Sequence, residues 1–237
     1  MWLIARYQPT TLFSLKPAWV TSTGGKSLLL PTPFSIKMAL LDAIYRVEGA
    51  GTAKTIWPEI RSATVALQGP EQIVVINTFT RILKPRRNPA LPGTAHAGPL
   101  QKSIGYREYV QFEGVIGIGL GLEDEKNMER LINGLLQINY LGKRGGFVQL
   151  LTRPEIVTDL PLGFISVPGM AGAEGFSING VLQQLDDCGP KMTFDHANIY
   201  SGKGIKLGQE RILRHVVLPY RLVRSSKSYS YYERIDN

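Results

Sequence analysis

The chain holds a single cysteine, Cys188, in 237 residues. No disulfide framework and no thiolate metal site can be built from one thiol, and such sparing use fits a reducing cytoplasm. Histidine is almost as scarce: His96, His196 and His215 are scattered without ligand spacing, so no metal is expected. No segment approaches the roughly eighteen consecutive apolar residues of a membrane span, and the opening MWLIARYQPTT has too short an apolar run for the centre of a signal peptide. A soluble cytoplasmic protein is therefore expected, with no membrane partner. Two nucleotide-binding motifs are present only as fragments. TSTGGKS at Thr21 to Ser27 has Val20 where a phosphate-binding loop needs its first glycine, and VIGIGLGL at Val115 to Leu122 lacks the spacing of a dinucleotide fingerprint. The second reads as a glycine-relieved strand against which something packs closely. No cofactor is expected.

Acidic residues are missing from one long stretch. Between Thr80 and Arg107 there is none, while six basic residues (Arg81, Lys84, Arg86, Arg87, Lys102 and Arg107) stand among four prolines and three glycines. The flanks alternate at period two, with Ile73, Val75 and Phe79 before and Tyr106, Val110 and Phe112 after, and read as strands. The proline-rich middle reads instead as a projecting loop of more than twenty residues, a length that is usually functional or disordered. Such uncompensated positive charge calls for a polyanion, the commonest being a nucleic-acid backbone; a solvated arm kept soluble by its arginines is the alternative. The formal charge of +8 favours an anionic partner without naming it.

Along the rest of the chain, Trp2 to Ala5 reads as a first, central strand. PTPFSIKMALLDAIYR then opens a helix, capped by Thr32, with Pro33 at its first position and Ile36, Ala39, Leu40, Ala43 and Ile44 on one buried face. Arg61 to Gln68 and Glu71 to Phe79 flank Gly69-Pro70 and read as a hairpin. Glu123, Asp124 and Glu125 suit the first turn of a second helix, whose apolar stripe runs through Met128, Leu131, Ile132, Leu135 and Leu136 to an end near Tyr140-Leu141. Gly142-Lys143-Arg144-Gly145-Gly146 follows before a strand over Phe147 to Leu151. Glycines there leave backbone amides accessible beside two cations, the combination that seats a phosphodiester. A C-cap glycine and a solvated turn account for Gly142 but not for the doubled glycine. With the arm as an outgrowth, the order approximates a βαββαβ ferredoxin-like domain over 1–151, with a thumb insertion at about 80–105. From Thr152 onward shorter apolar pieces read as a smaller β-rich region over 152–237, with strands at Phe164 to Val167, Arg211 to Val223 and Tyr229 to Ile235. The fold class is α+β.

The helix start PTPFSIKMALLDAIY, the run FTRILKPRRN, the returning SIGYREYVQFEG and the turn GKRGGF together resemble the fifth family of CRISPR-associated proteins, the RAMP-superfamily subunit of type I Cascade complexes. The resemblance covers residues 1 to 151 and weakens beyond, where only HVVLPYRL carries it. It implies a ferredoxin-like fold with a long thumb hairpin over Arg81 to Lys102, a role in antiviral defence, and partners in a ribonucleoprotein complex. These are the 5′ handle of the CRISPR RNA, the backbone RAMP subunit, the large subunit that recognises the PAM and, beside it, target DNA. Lys84, Arg86 and Arg87 would meet phosphates, and Gly142 to Gly146 would be the glycine-rich loop beside the handle. A non-catalytic subunit is the first expectation. One branch of the family processes precursor RNA with a tyrosine, a lysine and a histidine, for which Tyr106, Lys102 and His96 are the candidates here. A stand-alone RNA-binding module is the third reading.

Overall fold

The computed structural model describes residues 1–20, 26–88, 92–94, 97–167 and 179–235. The fragment at 21–25 and His96 lie outside the described residues. In chain order the elements are β1 (Trp2–Pro9), α1 (Pro33–Ser62), β2 (Thr64–Gln68), β3 (Gln72–Pro85), β4 (Leu100–Glu113), β5 (Ile116–Gly121), α2 (Met128–Leu136) and β6 (Val148–Leu150). There follow β7 (Glu155–Val157), β8 (Ile165–Ser166), β9 (Val181–Cys188), α3 (Phe194–Ala197), β10 (Arg211–Leu218), β11 (Tyr220–Ser225) and β12 (Tyr229–Arg234). The architecture is mixed α and β, with every strand pairing antiparallel. No helix among the described residues is long and apolar enough to cross a membrane.

The first sheet runs β6-β1-β5-β2-β8, with β7 also pairing β1. Helix α1 starts where Thr32 and Pro33 place it: the Ser35 amide donates to the Thr32 hydroxyl at 3.2 Å, and Ile36, Ala39, Leu40, Ala43 and Ile44 are all buried. It continues to Ser62 across a kink at Gly49, whose φ of +84° leaves the helical region. In β5, Ile116, Ile118 and Leu120 are buried on one face. The glycines between them face the other side, where a Cβ on Gly117 would press on the Phe164 ring and one on Gly121 on the Trp2 ring. This is the close packing that glycine in a strand signals.

The second sheet runs β11-β12-β3-β4. Here the expected hairpin over Arg61 to Phe79 is corrected. Arg61 and Ser62 finish α1, β2 pairs β5 and β8, and β3 pairs β4 and β12. Gly69-Pro70 carries the chain from one sheet to the other instead of folding it back. A side chain at Gly69 would collide with the buried Tyr220, whose hydroxyl donates to the Pro70 carbonyl at 2.5 Å. The proline-rich arm is corrected as well: β3 persists to Pro85 and β4 begins at Leu100, so both flanks of the expected loop are strand. Ladder hydrogen bonds between two long strands outweigh the local bias of Pro85, which terminates its strand.

Helix α2 is shorter than its apolar stripe suggested. Glu123, Asp124 and Glu125 precede it, Asn127 is its N-cap, and it ends at Leu136 with Gln137 as C-cap, so Tyr140 and Leu141 lie in the following loop. The strands read near the carboxy end are dispersed: β8 joins the first sheet, β12 pairs β3, and β9 with β10 form a two-stranded sheet against α1. The buried Lys37 of α1 fastens this last part, with its amine 2.7 Å from Asp187 of β9.

Candidate nucleic-acid interface

The fourteen-residue ladder of β3 and β4 fixes which side chains share a face. Cross-strand partners lie on the same side of a pleated pair, and side chains alternate along each strand. One face carries Asn77, Phe79, Arg81 and Leu83 with Glu108, Tyr106, Ile104 and Lys102 opposite them. The other carries Thr78, Thr80, Ile82 and Lys84 with Arg107, Gly105, Ser103 and Gln101. The cations of the arm are therefore split, Arg81 and Lys102 on one side, Lys84 and Arg107 on the other. Arg86 closes the far end: its amide donates to the Pro99 carbonyl at 2.9 Å and its Nε to the Leu100 carbonyl at 3.2 Å. Arg87 is exposed beyond it. The first face is also unexpectedly apolar, with Phe79 and Ile104 each 69% exposed and Leu83 63%.

The glycine turn takes its shape from each of its glycines. Gly142 and Gly145 adopt φ values of +72° and +108°, which favour glycine, and a Cβ on Gly146 would meet the Phe13 ring. Gly142 is thus not the C-cap of α2. Gly146 donates to the Lys143 carbonyl at 3.1 Å, and Leu141 to the Gly146 carbonyl at 3.0 Å. The amides of Lys143, Arg144 and Gly145 donate to no carbonyl or side chain among the described residues. Three amides without a protein partner and two exposed cations are the groups that an anion needs.

Residues 10–16 join the two regions. Thr11 donates to the Gly145 carbonyl at 2.5 Å, and Phe13 exchanges backbone hydrogen bonds of 2.8 and 2.7 Å with Val110 of β4. The Leu15 carbonyl is held by Ser27 and Leu28, and the Ser27 amide donates to Glu108. The run brings Lys16 between Arg107 and Lys143. Partial burial first, then the charges of these two neighbours, hold the Lys16 amine below its usual pKa of 10.5. Lys16 thus links the Arg107 side of the arm with Lys143 of the glycine turn, with which it shares the lining of one cleft. Of the residues expected from the sequence, Arg107 and Lys143 are its charged neighbours; Arg81, Lys84, Arg86, Arg87 and Lys102 lie further out along the hairpin. Lys16 was not expected, because nothing local in LFSLKPAW marks it.

Of the three candidates for RNA cleavage, His96 lies outside the described residues, and Tyr106 and Lys102 are not brought together. Tyr106 and Lys102 share a face but sit four residues apart, roughly 13 Å along the strand. The Tyr106 hydroxyl lies 3.0 Å from Asn77 Oδ1 and 3.1 Å from Glu108 Oε1. Burial, followed by the hydrogen bond and charge of Glu108, pushes the phenol above its ordinary value of 10.0. His196 caps α3 with Thr193, and His215 faces Gln184 at 2.8 Å.

Comparison with known proteins bears on the meaning of this site. A curated protein of Archaeoglobus fulgidus, CRISPR-associated protein Cas5, is 24% identical over 219 residues, 92% of each chain. This chain is similar to a Cas5 protein. That similarity spans nearly the whole length, beyond the residues 1 to 151 over which the likeness was read. No family model matches the chain. A crystal structure of a CRISPR protein from Archaeoglobus fulgidus aligns over 99% of this chain and 92% of that one at 14% identity. Its TM-score is 0.42, too low for the one architecture to stand for the other.

Proposed function

We propose that the chain is the guide-RNA-binding subunit of a type I CRISPR surveillance complex and holds the 5′ handle at the foot of its arm. The observation that carries this reading is the nearness of Lys16 to Arg107 and Lys143, beside a glycine turn whose amides at 143–145 have no protein partner among the described residues. Cations crowd in this way where a phosphate compensates them. The similarity to Cas5 supplies the CRISPR context. In this reading β1-α1-β2-β5-α2-β6 is the ferredoxin-like unit, with β3 and β4 as its thumb insertion and residues 152–237 as a smaller β-rich region. The outer cations Arg81, Lys84, Arg87 and Lys102 track the strand beyond the handle. The exposed Phe79, Leu83 and Ile104 suit a protein neighbour such as the backbone subunit, since a single chain leaves them uncovered. Its contact with the large subunit and with target DNA near the PAM belongs to the same reading. No cleavage step is assigned, because the Tyr106 hydroxyl is committed within the fold.

The test is the salt dependence of binding to a repeat-derived RNA. Replacing Arg107 and Lys143 together by alanine is expected to lower the slope of log K against log salt by about two and to weaken every sequence alike. An unchanged slope with folded protein would remove these cations from the interface.

A further inference from the structure

A second cleft, of about 260 Å3, lies where the end of α1 meets β9 and β10, and none of Lys16, Arg107 and Lys143 lines it. Its charged wall is Lys37, Arg61, Asp187 and Arg214, with the exposed Ser62 and Thr64 beside them. Asp187 of β9 and Arg214 of β10 share one face of their two-stranded sheet, the face from which Asp187 reaches Lys37. The one carboxylate is already engaged. Its Oδ1 accepts from Lys37 Nζ and from the Cys188 amide, each at 2.7 Å, while its Oδ2 lies 3.7 Å from Arg214 Nε, beyond hydrogen-bond distance. The two arginines keep donors in hand. Arg61 spends Nη1 on the Pro190 and Met192 carbonyls, at 3.0 and 3.4 Å, and its Nε and Nη2 donate to nothing among the described residues. Arg214, whose side chain is 14% exposed, makes no hydrogen bond among them at all, and its Nε is buried.

Three cations facing one carboxylate leave a surplus of two positive charges. Cys188 does not offset it, since burial pushes its thiol up to about 12. Nor can the arginines shed the surplus as protons, because a guanidinium keeps its charge in a protein. An anion has to supply the balance. We infer that the cleft binds a small dianion of the phosphate or sulfate type, held between Arg61 and Arg214. The spare N–H forks of a guanidinium match the oxygens of such an ion, whereas a single carboxylate would leave one charge unmatched. The volume is below the roughly 300–1,000 Å3 of pockets for drug-sized ligands, so the cleft takes a free ion or the phosphate end of a larger molecule. Bound there, the anion ties the end of α1 to β10 and so fastens the two-stranded sheet alongside the Lys37–Asp187 pair. This inference does not rest on RNA binding.

The experiment is a calorimetric titration of the full chain with sodium phosphate, at constant ionic strength in chloride and at a pH where phosphate is a dianion. Saturable binding is expected, and Arg214→Gln should weaken it about tenfold or more, as the loss of a charge-assisted hydrogen bond does. Because Arg214 is partly buried against Asp187, Ser62→Glu gives a second variant at an exposed position: its added carboxylate competes for the guanidiniums and should abolish binding with both arginines in place. Adenosine 5′-monophosphate separates the two sources of the ligand. Binding at least as tight as that of phosphate makes the anion the end of a larger molecule, and weaker binding makes it a free ion. No phosphate heat with the folded chain would overturn the proposal. Binding lost in the Arg107→Ala, Lys143→Ala double variant but kept in Arg214→Gln and Ser62→Glu would place the ion at the arm and overturn it as well. Neither cleft variant alters a residue of the proposed RNA site, so the two readings fail separately.

Discussion

The two ends of the β3–β4 hairpin are built from the same strands and differ in nearly everything else. At the foot, Tyr106 is tied to Asn77 and Glu108, Ser27 bonds Glu108, and Phe13 extends the sheet along β4. At the outer end, Leu83 and Ile104 stand in solvent, and Arg86 ties side chain to backbone across the strands. Two strands with neither face covered are marginal by themselves. The foot is thus organised before any ligand arrives, whereas the outer end needs a partner to define it. Charge at the foot is held rigid and close, which concentrates its effect on one anion; charge at the outer end is spread over two faces.

The comparison breaks most readily at the joint between the sheets. Gly69→Ala sets a methyl against the buried Tyr220 and is expected to cost about 2–3 kcal/mol in chemical unfolding. A change below about 0.5 kcal/mol would mean that the foot is no more fixed than the tip. Next in size, Lys143→Ala and Arg107→Ala should each weaken RNA binding several-fold at moderate salt with the unfolding midpoint unchanged. Arg81→Ala and Lys102→Ala at the outer end should lower the salt slope by up to about one each, and less than that if the strand there is not followed by RNA. The smallest effect is a pH dependence. In the protein without RNA the Lys16 amine is held below 10.5; a phosphate beside it favours the protonated form, so RNA affinity should fall as pH rises from that lowered value toward 10.5. Lys16→Arg, which keeps its charge throughout that window, should flatten the fall; a parallel decline in both proteins would assign it elsewhere.

Which parts were legible in the sequence follows from how local their causes are. Thr32-Pro33 and the apolar face of α1 act within a few residues and were readable, as were the close contacts implied by the glycines of β5. The turn at Gly69-Pro70 was also visible, but strand pairing is decided by residues far away, here Tyr220 and β12, so a hairpin was read where the chain changes sheets. The outer strands were hidden for another reason. With both faces of the hairpin in solvent, RILKP shows no apolar alternation, and its proline and cations read as loop. In the proposed site, Arg107 and Lys143 were candidates by type and context. Lys16 is placed by the tertiary path of residues 10–16, which no local pattern shows.

The account stands or falls on where a guide strand touches this chain. Photo-crosslinking of a repeat-derived RNA to the purified protein, read by mass spectrometry of the joined peptides, addresses that directly. Crosslinks are predicted in residues 14–16, at 107 and in 142–146. RNA joined only to the far surface of α1 and α2, with these three segments unmarked, would contradict it.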